Sequence, residues 1–232
     1  MAIAFGADLG GDWATTNSST TYTLTVTTPT TGRVAFLCVE LSRGGAVSRP
    51  TPSGLGLTWT FIAEDLQTGA ATNFYIGAWY GLGTPSGTTL TITLNGGGTY
   101  SGRGISLAEF SGVDTTTPTV QSVAGNGNST GLTLTLGAAP TSGAVWGGVT
   151  HEANEATTHG TGWTEIGDGA GNTPSTAFET NYQLANDQSC DWTWTTSALC
   201  RGVLVELAAT ATAVSPPPFH AVRAHKRVLA NR

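Results

Sequence analysis

The sequence predicts an all-β protein: an antiparallel β-sandwich of jelly-roll type, built from two sequence-related halves and followed by a C-terminal extended arm or short helix. Three observations predict it. Apolar residues alternate with threonine in TYTLTVTT (21–28), TLTITL (89–94), LTLTL (132–136) and DWTWTT (191–196), the period of a half-buried strand. Clusters such as PSG, TPSG, NGGG and GNGN punctuate the chain as turns. The strand-like segments also recur in the same order in the two halves.

In chain order, TYTLTVTT reads as a strand with one wet face. RVAFLCVEL (33–41), NFYIGAWYGL (73–82), GISLAEF (104–110) and RGVLVEL (201–207) are less regular and read as more buried strands. The recurrence pairs TPTTGRVAFLCVEL (28–41) with APTSGAVWGGVTHE (139–152), and GLTWTFIAED (56–65) with GTGWTEIGDG (160–169). It pairs YIGAWY (75–80) with AFETNY (177–182), TLTITL with DWTWTT, and RGISLAEF (103–110) with RGVLVEL. The offset shrinks from 111 residues at Gly32/Gly143 to 97 at Glu109/Glu206, so the second half has the shorter loops. Before residue 215 no segment shows a helical stripe.

One half alone would struggle to bury its apolar face, whereas two packed halves make a sandwich with sheets roughly 10 Å apart. The preferred organisation is one β-sandwich over residues 1–209, with repeats at about 20–112 and 131–208. Two small sandwiches in tandem are the runner-up. The short connection SGVDTTTPTV (111–120) favours the single unit. A Pro-rich linker (210–218) and a basic tail (219–232) follow.

Composition narrows the classes. Of 232 residues only 10% are charged, well below the roughly 25% of an ordinary soluble domain, and 32 are glycine. Residues 1–214 carry five arginines and all fifteen acidic groups, a balance of about −10. Such a body argues against nucleic acid, which needs clustered Lys and Arg. MAIAFGADLGGDW has neither a basic n-region nor a long apolar run, so folding in a cytoplasm without classical export is expected. No stretch approaches the 18 apolar residues of a membrane span. Cys38, Cys190 and Cys200 read as buried reduced thiols, with a Cys190–Cys200 bridge as the alternative.

HEANEATTH (151–159) is the most tempting stretch for chemistry, because it gathers His151, Glu152, Glu155 and His159. A zinc protease needs two histidines four residues apart on a helix, and here that position is Glu155. A polar loop at the sandwich end is the preferred reading, and a weak divalent-cation site is the alternative. GDGAGN (167–172) lacks the acidic series of a calcium loop and reads as a glycine-rich turn. Asp114 is placed to cap a turn. Trp59 and Trp163 occupy equivalent repeat positions and read as packing residues. Trp192 and Trp194 share a strand face and are either core or a stacking platform. Trp13 and Tyr100 lie in loop-like sequence and are candidates for exposure. Glu109 and Glu206 read as outward strand positions, with an inter-subunit ion pair as the alternative. No nucleophile–base or acid–base constellation stands out, so no catalytic residue and no cofactor is expected.

The chain ends SPPPFHAVRAHKRVLANR (215–232), with Arg223, Lys226, Arg227 and Arg232 and no acid. The prolines predict a semi-rigid spacer. Phe219, Val222, Lys226 and Leu229 would share one face of a short helix, marginal by itself in water. Against an acidic body the segment reads as a docking arm: Phe219, Val222 and Leu229 supply apolar grip, and Arg223, Lys226, Arg227 and Arg232 select an acidic partner.

The succession GLTWTFIA, AWYGLG, TLTITL and SLAEFSGVD resembles a β-sandwich module of tailed-bacteriophage virion structural proteins, over about residues 20–208. The tail lies outside the resemblance. The resemblance implies a non-enzymatic virion component assembled in the host cytoplasm, such as a decoration or accessory protein. Its implied partners are major capsid or tail proteins and further copies of the chain, with trimers common among such accessories. A tail-associated receptor- or glycan-binding module is the alternative, and a glycan-active enzyme ranks below it.

Overall fold

The computed structural model describes residues 1–14, 20–67, 73–95, 100, 102–172 and 175–211. The predicted docking residues, from Phe219 to Arg232, and the predicted arm or helix lie outside the described residues.

The described chain is all β, and its pairings are antiparallel throughout. The first half contributes β1 (Ala4–Ala14), β2 (Thr21–Thr25), β3 (Val34–Arg43), β4 (Thr51–Gly54), β5 (Leu57–Leu66), β6 (Asn73–Gly83), β7 (Thr89–Thr93) and β8 (Gly102–Ser111). They form a five-stranded sheet, β1-β8-β3-β6-β5, and a three-stranded one, β2-β7-β4. Apart from the β5–β6 hairpin, strands adjacent in sequence alternate between the two sheets, a jelly-roll-like arrangement.

The second half contributes β9 (Thr119–Thr135), β10 (Val145–His151), β11 (Thr158–His159), β12 (Thr164–Asn172), β13 (Ser175–Gln183) and β14 (Ser189–Leu207). Here β14 pairs on one side with β9, and the order continues β14-β10-β13-β12. The β14–β9 ladder is interrupted between Thr193 and Ala198. Beyond the break, residues 189–193 pair with 131–135, and Thr193 and Trp192 also pair with β11. One long bent strand therefore serves two layers. DWTWTT and RGVLVEL, separate segments by sequence, are its two ends.

The five-stranded sheet and the six-stranded sheet of the second half pack face to face. β1 lies over β12, β8 over β13, β3 over β10, and β5 over β9 and β14. This produces three cores in series. The first, between the five- and three-stranded sheets of the first half, holds Leu37, Val39, Tyr75, Trp79, Leu90 and Ile92. The second, between the large sheets, holds Phe36, Phe110, Trp146, Phe178, Val203 and Val205. The third lies under β11 and the outer ends of β9 and β14, with Leu132, Leu134, Val149, Trp163, Trp192 and Leu204. Successive β3 residues serve different cores: Leu37 and Val39 face the first, Phe36 and Cys38 the second. A strand buried on both faces has no reason to alternate, which is why RVAFLCVEL is nearly continuous in apolar residues.

Two turn readings are corrected. GNGN lies inside β9, where Asn126 and Gly127 pair with Arg201 and Cys200. A Cβ at Gly125 would come within 2.9 Å of the Leu134 side-chain end, so glycine there lets that side chain pack closely over the strand. GDGAGN belongs to β12, paired with β13. Asp114 does cap a turn, accepting the Thr116 and Thr117 amides at 2.7 and 3.1 Å. All three cysteines are free and buried.

Glu109 and Glu206 are buried rather than outward, and both bind within the chain. Glu109 accepts the Thr30 amide at 2.6 Å and pairs with Arg33. Glu206 accepts the Thr141 and Ser142 amides at 2.7 and 3.1 Å. Each closes a turn whose glycine, Gly32 or Gly143, has positive φ. The layer between the large sheets also buries polar groups. Ser106 bonds Thr180 across it at 2.6 Å. Arg201 pairs with Asp65 from the opposite sheet, and Asn126 bonds the same carboxylate at 2.9 Å. Glu40 is fully buried, and neither carboxyl oxygen has a partner at hydrogen-bond geometry among the described residues, although the Gly104 backbone lies close enough to act on it.

Gly104 shows how close the two large sheets lie: a Cβ there would approach the Phe178 ring to 2.6 Å. Gly104→Ala is expected to lower the free energy of unfolding by about 1–3 kcal/mol, through overpacking. At Gly167 an added Cβ meets nothing within 4 Å, so Gly167→Ala is the near-neutral control. Urea midpoints of the two variants test the difference.

Candidate functional site

The segment 151–159 does not assemble a metal site from the four residues singled out by sequence. His151 ends β10 and is buried. Its Nδ1 accepts the Ala153 amide at 3.3 Å, and its Nε2 bonds the Thr157 hydroxyl at 3.0 Å. The ring stacks on Trp194, with centroids 4.2 Å apart. Burial holds the imidazole down at about 4, so it is neutral at pH 7. Glu155 is taken up by Thr195 and Thr196, whose hydroxyls and amides pull its carboxyl down to about 2. Glu152 is raised by burial. His159 turns elsewhere, placing Nδ1 2.9 Å from Glu179 Oε1 on β13.

The tryptophans divide in the same way. Trp192 and Trp194 are core, with 1% and 6% exposure, so the stacking-platform alternative is corrected. Trp194 donates Nε1–H to the Ser129 carbonyl at 3.0 Å. Trp163 is buried in the third core, and Trp59 packs against the first. Tyr100 is buried too, donating to the Asn95 carbonyl at 3.0 Å beneath the Arg43 guanidinium.

Trp13 is the exception, and it leads to a concavity. It belongs to β1 rather than a loop, and its half-buried ring lies parallel to Phe178 at 6.4 Å. Gly169 admits the ring, since a Cβ there would strike it at 2.7 Å. Beside the pair, where β1 lies over β12, is a cleft of about 300 Å³. Asp8, Asp12, Asp168 and Ser106 line it together with the aromatic pair. Asp12 is occupied by the Tyr22 hydroxyl and by Arg103 at 3.3 Å. Asp8 accepts the Gly10 amide at the irregularity within β1, and Asp168 is exposed. Ser106 is committed to Thr180, so no nucleophile faces a base. The arrangement suits a hydroxyl-rich or cationic ligand lying against an aromatic face.

Sequence reasoning missed this cleft because β1 carries no alternation: AFGADLGGDWA is kinked by pairing shifts between Phe5 and Ala7 and between Asp8 and Gly10. It also missed Glu179, a fully buried acid in the second half. Among the described residues the donors able to share a metal ion are His159, Glu165 and Glu179. No protein-family model, curated protein or solved structure matches this chain.

Burial raises the Glu40 carboxyl to about 8, and raises Glu179 to about 8 with help from Glu165 and Asp168. In the unfolded chain both ionise near 4.5. Their contribution to stability is complete below that value and is lost as pH rises toward about 8. Each proton difference gives a slope of about 1.4 kcal/mol per pH unit. His151 acts oppositely, but only below its ordinary value of 6.5. Between pH 6.5 and 8 stability should therefore fall as pH rises, and Glu40→Gln should roughly halve the slope. Urea unfolding across that window measures both.

Proposed function

We propose that this chain is a non-enzymatic structural component of a phage virion, a decoration or accessory protein docked to the particle through residues 219–232. One observation carries the docking part. Every arginine of the body is already engaged inside the body. Arg33 binds Glu109, Arg49 binds Glu64, Arg103 binds Asp12, and Arg201 binds Asp65. Arg43 lies over Tyr100. The chain's single lysine, Lys226, falls in the tail with Arg223, Arg227 and Arg232. An acidic partner, whether a neighbouring copy, a capsid protein or a tail protein, must be met by those cations. The virion setting is supported by the resemblance of residues 20–208. Serial sheets joined by continuous cores suit a rigid surface piece.

A second reading, a receptor- or glycan-binding module, is favoured by the cleft beside Trp13. Sugars stack on aromatic faces and bond carboxylates through their hydroxyls.

Deleting 215–232 is expected to leave the melting temperature of the sandwich unchanged and to abolish particle incorporation or oligomer formation. Light scattering and co-sedimentation with particles measure this, and unchanged occupancy removes the docking role. For the second reading, a glycan array should give hits that Trp13→Ala loses. A blank array removes that reading.

A further inference from the structure

Three strands of the second half bring donor groups to one point. His159 on β11, Glu165 on β12 and Glu179 on β13 present ligand atoms that all lie within 4.8 Å of one another. Their burial is graded. Glu179 forms a floor with no exposure, His159 is about a quarter exposed, and Glu165 is open to solvent. The register accounts for the convergence. Glu165 pairs with Asn181, and a bulge at Ile166 then brings Asp168 opposite Glu179, so these side chains share one sheet face. β11 lies in the outer layer above that face and supplies the imidazole.

The floor is incompletely satisfied. Glu179 Oε1 meets His159 Nδ1 at 2.9 Å and accepts from Asn181 Nδ2 at 3.3 Å. Its Oε2 is buried and has no hydrogen-bond partner among the described residues. A buried carboxylate oxygen without a donor is costly, typically by 1–3 kcal/mol or more, and is a common mark of a missing ion. The charged groups around Glu179 include the acids Glu165 and Asp168, so the chain surrounds this carboxyl with negative charge that a cation would offset. The five arginines of the body are placed elsewhere.

We propose that His159, Glu165 and Glu179 form a binding site for a first-row divalent metal ion, zinc or manganese. One nitrogen and two carboxylate oxygens suit these ions, whereas calcium and magnesium favour oxygen alone. Bond lengths of about 2.0–2.2 Å require the donors to close in by roughly 1 Å. The exposed Glu165 side chain is free to do so, and His159 needs only to exchange its contact with Glu179 for the ion. Three protein ligands leave coordination positions on the solvent side. The ion would tie β11, only two residues long, to the β12–β13 pair, and so fasten the 152–163 segment to the sheet.

The test uses the full chain, untagged and stripped with a chelator, titrated calorimetrically with zinc, manganese, calcium and magnesium chlorides. One saturable zinc or manganese ion per chain is expected, with calcium and magnesium at least tenfold weaker. Glu179→Gln and Glu165→Gln should each weaken binding at least tenfold. The second variant alters an exposed side chain, so its fold is secure. A His220→Ala/His225→Ala variant should bind as the parent does, because tail histidines are outside the site. Absence of saturable binding to the parent, full affinity in both glutamine variants, or loss of binding in the tail variant would each overturn the proposal.

Discussion

The structure depends on one constraint: the central strands of its two large sheets are buried on both faces. In β3 and β8 nine of ten residues are buried, and all seven of β10 are. Neither sheet can stand alone, since each needs a partner for its second face. The large sheets meet that need by packing on each other, and the short outer strands cover what is left. Close packing then transmits any change of volume through two cores at once, because a single strand such as β3 belongs to both.

The same constraint decides the fate of every polar group on these strands. A doubly buried strand has no outward position, so an acid there must find an internal partner or give up its charge. Glu109 and Glu206 take turn amides from the loops that precede β3 and β10. Arg201 and Asp65 neutralise each other across the layer between the sheets. Glu40 has neither kind of partner and remains protonated up to about 8. These are different solutions to one electrostatic problem, and they sit where the two large sheets must touch or where a turn must close.

The fold class was legible in the sequence because the outer strands have one wet face. TYTLT and TLTIT alternate, and their burial follows the alternation. The glutamates were misread for the complementary reason: alternation logic assumes one buried face, and β8 and β14 have two. GNGN and GDGAGN were misread because glycine marks both turns and close packing, and only the neighbours decide between them. Leu55 shows the converse. It adopts a positive φ of 62° in the β4–β5 turn while its side chain stays buried, a role that composition would have given to glycine. His159, Glu165 and Glu179 are 14 residues or fewer apart in consecutive steps, yet nothing in their spacing signals convergence. That depends on the Ile166 bulge and on β11 lying in another layer.

The distribution of charge follows from the same architecture. With few charges available, four of the five body arginines pair with carboxylates, and the buried Glu40, Glu179 and Glu206 have no arginine partner among the described residues. Other acids lie at the surface. Asp8, Asp168 and Glu165 have no arginine partner among the described residues. Such a surface repels its own copies, but at physiological salt the repulsion fades beyond roughly 8 Å. An extended linker over residues 210–218 would span up to about 28 Å, at ~3.1 Å per residue. That reach is several screening lengths. Cations carried at its end would therefore do little to steer a distant partner and would act mainly on contact. Under the docking role proposed for the tail, recognition would rest on a matched acidic surface, with apolar side chains such as Phe219 and Leu229 adding burial once contact is made.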